Sequence, residues 1–175
     1  MTARSLVAAA AFAALSGWVS GQGPSPRRTA DEEATLLKKN RPLLEGLLDD
    51  GLKLAAAETP LDRAAACRAA ADRLAVELRA AAKYEDGDRV SEIGDQLTAL
   101  LTDGFLPPFD AARADIGPTS PDFPRLQILH RESASQFAAA VDSLPTAGPF
   151  AAGPRVVALR PKLAAFAKQV GQPAE

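Results

Sequence analysis

Nowhere along the chain does a run of β-branched residues alternate with a period of two; alanine and leucine recur at helical spacing instead, and glycine and proline fall between the periodic segments. That pattern admits one class of fold. The sequence predicts an all-α protein, an up-down bundle of about five helices that follows an N-terminal signal peptide.

The first predicted helix opens at Thr29, where TADE reads as a capping box: the Thr29 side chain accepts from an early backbone N–H while Glu32 reaches back. Its expected buried stripe holds Leu36, Leu37, Leu43, Leu44, Leu47, Leu48, Leu54 and Ala55, with Lys38, Glu45, Asp49, Asp50 and Lys53 facing water. Pro42 falls on the polar side, so one helix kinked at the proline is expected in preference to two, the alternative being a fresh start capped by Asn40. ETPLDR restarts the chain with Thr59 as N-cap, Pro60 in the first helical position and Asp62 at the positive helix end. This second helix should reach about Lys83 and bury Cys67, Ala71, Leu74, Leu78 and Ala81. A third carries Val90, Ile93, Leu97, Leu100 and Leu101 and should stop at TDGF, with Gly104 left-handed and Phe105 packing back. LPPF and DIGPTSP bracket at most one short helical turn. Two more helices follow. One spans roughly 123–144 with Leu126, Leu129, Phe137, Val141 and Leu144 on its seam, and the last sets Val156, Leu159, Leu163, Phe166 and Val170 on one stripe.

Residues 1–21 read as the signal peptide: Arg4 supplies the positive start, LVAAAAFAALSGWV the apolar run, and Val19 and Gly21 the small residues of a cleavage site before Gln22. Cleavage leaves 154 of the 175 residues, of which 22–28 read as a disordered linker and 29–172 as a single helical domain. The expected compartment is therefore periplasmic or extracellular. With Arg4 removed, 19 basic residues stand against 22 acidic ones and no basic block is present, so nucleic acid is not an expected partner. No later stretch approaches the apolar length of a transmembrane helix, and stable membrane insertion after cleavage is not expected.

The stretch LAAAETPLDRAAACRAAADRLAVELRAAAKYEDGDRVSEIGDQLTALL, residues 54–101, resembles a helix pair of uncharacterised exported bacterial all-helical proteins. PLDRAAAC, ADRLAVEL and the GD before the third helix carry the likeness. It implies a helical, exported protein and brings no catalytic residues.

Cys67 is the only cysteine, which removes intrachain disulfides, thioredoxin-like dithiol chemistry, c-type haem attachment and cysteine-rich zinc sites. Its place in the seam of the second helix reads as a small buried hydrophobe. The densest run of potential ligands is YEDGDRVSEIGDQL, residues 84–97, with Glu85, Asp86, Asp88, Glu92 and Asp95. An EF-hand loop starting at Asp86 fails, because its fifth, sixth and twelfth positions would be Val90, Ser91 and Leu97. On a helical wheel Glu92 and Asp95 lie within about 40° of Asp88, whereas the apolar seam lies about 170° away. The acids are therefore expected to face water, with Asp86 and Asp88 favouring the positive helix end.

His130, the only histidine, falls on the face of Leu126 and Phe137 with Ser133 one turn away. No G-x-S-x-G turn or oriented third group accompanies that pair, and a partly buried, hydrogen-bonded histidine is the expectation. Phe150, in the loop PTAGPFAAGP, is the aromatic that would anchor a partner if it does not dock on its own core. The function expected is that of an exported non-enzymatic interaction or scaffold module whose partner is another exported protein. The alternative is a periplasmic helical bundle binding a small ligand or metal through Asp86, Asp88, Glu92 or His130; no cofactor is expected.

Overall fold

The computed structural model describes residues 29–171, apart from the side chains at positions 32, 33, 36 and 39. The expected signal peptide, the linker and the Glu32 half of the capping box lie outside the described residues. The chain divides into two compact units, one ending at Pro42 and the other beginning at Leu43. In the first, the N-terminal turns of α1 (Ala30–Ala56) carry a back-bond from Thr35 Oγ1 to the Asp31 carbonyl at 2.8 Å. The helix is continuous through Pro42, whose ring is exposed.

The second unit holds the remainder of α1, then α2 (Pro60–Lys83), α3 (Gly87–Ala99), a π-helical stretch (Leu100–Phe105), α4 (Leu106–Asp115), α5 (Phe123–Asp142), the four-residue α6 (Gly148–Ala151) and α7 (Pro154–Gly171). The protein is all-α, and no strand occurs among the described residues.

The start of α2 is built as its sequence dictates. Thr59 Oγ1 accepts from the Asp62 amide at 3.1 Å and donates to Asp62 Oδ2 at 2.7 Å, and Pro60 sits where no amide donor is needed. Its end is a Schellman turn, in which the Asp86 amide reaches the Ala81 carbonyl and the Glu85 amide reaches Ala82. The residue in the left-handed position of that turn is Glu85, at φ 53°, where glycine would carry no steric cost. Asp86 then caps α3 by accepting from the Arg89 amide at 3.0 Å. The acidic run thus forms a tight antiparallel corner between α2 and α3.

The third helix does not stop at Gly104. Gly104 is not left-handed; the backbone widens into the π-helical stretch and continues as α4, a ten-residue helix where at most one turn was expected. The cause lies in Pro107 and Pro108, which have no amide to offer the preceding turn. The last amide before them, Leu106, bonds instead to Leu101, five residues back. Thr98 and Thr102 donate their hydroxyls to the carbonyls of Gly94 and Thr98, a pattern that bends helices just where this one changes pitch. The detour brings Phe105 onto Phe109 in a stack with centroids 5.0 Å apart and against Phe137 edge-on at 5.6 Å.

Cross-helix contacts fix the topology. Asp62 with Arg125, Arg68 with Glu132 and Asp72 with Gln136 are separated by 63, 64 and 64 residues, so α2 and α5 run parallel. Asp88 pairs with Arg155, 67 residues on, and α3 and α7 run parallel as well. Arg160 reaches the carbonyls of Leu144 and Pro145, and Gly171 lies against Ala134, so α5 and α7 are antiparallel. Two antiparallel hairpins, α2–α3 and α5–α7, therefore stack side by side. Gly94 lets them approach, since a Cβ there would collide with Leu159. The core between them is aliphatic and aromatic: Leu78, Ile93, Leu97, Phe105, Phe109 and Leu163 are all essentially inaccessible.

Candidate functional site

The C-terminal half of α1 departs from the pattern of the stacked hairpins. Leu43, Leu47 and Leu54 are half-buried, and Leu47 and Leu54 pack against the core, but the fully buried positions are Gly46 and Asp50. Asp50 was expected to face water. Its carboxylate is enclosed and accepts from Arg73 Nε at 2.6 Å and Lys53 Nζ at 3.3 Å. Gly46 clears the way, because a Cβ at that position would overlap the Arg73 guanidinium. The hydrogen bond and charge of Asp50 raise the pKa of Arg73 above its ordinary value.

Turning Asp50 toward α2 turns three leucines away from it. Leu44, Leu48 and Leu52 are 52%, 61% and 63% exposed. Spaced four residues apart, they form a single ridge on the outer face of the helix. Leu37, in the first unit, is exposed too, against the expectation of a buried stripe. The hairpins show no ridge of this kind: their exposed large apolar side chains are isolated residues, Val76, Tyr84, Ile128 and Val157.

The residues singled out by sequence are spread over the second unit. Asp86 is the α3 cap; Asp88 is exposed and paired with Arg155; Glu92 is exposed and accepts from Arg89 Nη1 at 3.1 Å. Asp88 and Glu92 thus stand on the outer face of α3, about 40° apart as the wheel places them. Among the described residues no group of three or more histidine, cysteine, aspartate or glutamate side chains is close enough to hold a metal ion. His130 is half-buried with its ring centroid 5.9 Å from that of Phe109, and its Nε2 is enclosed without a hydrogen-bond partner, not bonded as expected. Ser133 beside it is fully buried. Phe150 packs against the core over the start of α3, where a Cβ at Gly87 would stand 3.5 Å from its ring. Cys67 is buried, and burial pushes its thiol up to about 11.

Two charged features escaped the sequence reading. Arg155 and Lys162 from α7 face Ser91 and Asp95 from α3 across a cleft of about 240 Å³ floored by Ala158 and Leu159. Asp72, half-buried between α2 and α5, has its carboxyl raised above the usual range by burial, against the pull of Arg68 and of the hydrogen bond from Gln136. Only the leucine doublets at 43–44 and 47–48 carried a signal. Two adjacent leucines stand about 100° apart on a helix, so repeated doublets make an apolar arc too wide for one neighbouring helix to cover.

No protein-family model, curated protein or solved structure matches this chain.

Proposed function

We propose that this chain is an exported, non-enzymatic interaction module that meets another exported protein through the outer face of α1. The observation that carries the reading is the ridge of Leu44, Leu48 and Leu52, which is exposed on a helix whose buried Asp50 pairs with Arg73 of α2. A partner groove that accepts an amphipathic helix reads residues at this spacing. Export rests on the N-terminal leader pattern and on the likeness of residues 54–101 to exported helical proteins.

A photo-crosslinker placed at position 48 in the exporting cell should capture one discrete protein, while the same probe at the exposed Val157 should not. Equal capture at both positions, or none at 48, would overturn the reading. Export has its own measurement: Trp18 and Met1 are the only residues of their types, so exported protein should lack tryptophan emission and begin at Gln22 by intact mass. A mass beginning at Met1 would refute cleavage.

The cleft between α3 and α7, with charges of both signs on its walls, favours a second reading as a small-ligand or cation-binding bundle. Calorimetric titration with divalent ions tests the metal form of it. Stoichiometric submillimolar binding that Asp88→Ala abolishes would displace the interaction reading.

A further inference from the structure

We propose that His130, Ser133 and Gln136 carry a hydrogen-bonded wire, completed by buried water, that runs along α5 and ends on Asp72 of α2. Three polar atoms are enclosed there without a partner: His130 Nε2, Ser133 Oγ and Gln136 Oε1. All three belong to one helix and recur every third residue, so successive groups are about 4.5 Å apart along the axis and about 60° apart around it. They lie on adjoining turns of a single path.

Their chemistry is ordered along that path. The far end is anchored, since Gln136 Nε2 donates to Asp72 Oδ2 at 2.8 Å. A carboxylate only accepts, so the Gln136 amide is oriented with its oxygen pointing away, as an acceptor. Ser133 can donate and accept through one hydroxyl. His130 can donate from Nε2 when that nitrogen carries the proton. Donor, relay and acceptor thus follow one another from His130 to Gln136. None of the three bonds directly to another, and each gap is flanked by polar atoms that need a partner, the setting in which buried water is found. A folded chain of this size holds on the order of five such waters.

The path joins α2 to α5 on the inner side of the same interface that Arg68–Glu132 closes on its outer side. The Gln136–Asp72 bond is the link that crosses between the two parallel helices, so a slip of α5 against α2 cuts the wire at that end and leaves the polar atoms along α5 without their terminus. The wire thus ties its order to the register of the two helices, and it is independent of the α1 ridge.

Replacing Ser133 by alanine separates a wire from an orphan by the sign of the effect. A bonded buried hydroxyl is missed when removed, whereas deleting an unpaired one relieves its desolvation. Ser133→Ala should lower Tm by about 2–6 °C after subtraction of the change produced by Ser135→Ala, an exposed serine on the same helix that reports the propensity gain alone. In a Gln136→Leu background the Ser133→Ala loss should shrink. Nitrogen chemical shifts should show the neutral His130 ring protonated at Nε2, with water cross-peaks to its neighbours. A rise or no change in Tm, strictly additive losses, or an Nδ1-protonated ring would overturn the proposal.

Discussion

Helix α2 and the second half of α1 are built largely from alanine and leucine and are linked by the Asp50–Arg73 pair, yet opposite considerations decide which face each one buries. Along α2 the apolar seam goes in: Cys67, Ala71, Leu74, Leu78 and Ala81 are all buried, as their spacing predicts. Along the second half of α1 an aspartate goes in and a line of leucines stays out. The difference comes from the width of the apolar arc. On α2 it is narrow enough for α3, α4 and α5 to cover. On α1 the doublets together with Leu52 spread leucine over about half the circumference, more than one neighbouring helix covers, and the Asp50–Arg73 pair with its Gly46 clearance selects which part of that arc turns inward. A contact worth little on an exposed surface decides orientation when the hydrophobic term is nearly indifferent to it.

The comparison can be broken most forcefully in the hairpins. Phe105→Ala, at the junction of the stacked Phe109 ring and the edge of Phe137, should cost about 3–5 kcal/mol in chemical denaturation. A loss below about 1 kcal/mol would mean that the π-helical detour does not build the core assigned to it. Asp50→Ala should have an intermediate effect, about 1–3 kcal/mol, and it should free α1 to rotate. Hydrogen exchange reads that directly: protection should fall in residues 43–56 and stay unchanged in α2 and α5. Uniform loss across the molecule would show that α1 is not separately oriented by the pair. Smallest is Leu48→Gln, expected within about 0.5 kcal/mol of the parent, because the side chain is already in water. A large loss there would place the leucine ridge in the core and remove the contrast with α2.

Much of the fold was legible because local rules and tertiary packing agree. Thr59, Pro60 and Asp62 start α2 as their chemistry requires, and the seams of α3, α5 and α7 bury Ile93, Leu97, Phe137, Leu159 and Leu163 as periodicity predicts. The acidic corner was legible as a turn, but not the left-handed backbone of Glu85, since a glutamate carries a steric cost there that glycine does not. The continuation past Gly104 was hidden for a different reason. A glycine followed by two prolines normally signals a stop, and only the switch to five-residue hydrogen bonding carries the helix through. Of the proposed site, the leucines could be read and their exposure could not, because exposure depends on Arg73, which lies on another helix. Of the path proposed through Ser133, the pairing of His130 and Ser133 on the face of Phe137 was legible, but not the link through Gln136 to Asp72, which is decided by the parallel placement of α2 and α5.

That parallel placement has a consequence for how such a molecule can change over time. The second hairpin follows the first by a nearly constant offset of 63 to 67 residues, so the two are related mainly by displacement. A rotation would close the set, as in a symmetric bundle, whereas a displacement can be applied again. The arrangement is that of stacked repeats, in which each hairpin rests on its neighbour and extension needs no new kind of connection. Lengthening the protein by a third hairpin would add a face without rewiring the others, which makes this architecture tolerant of growth by duplication.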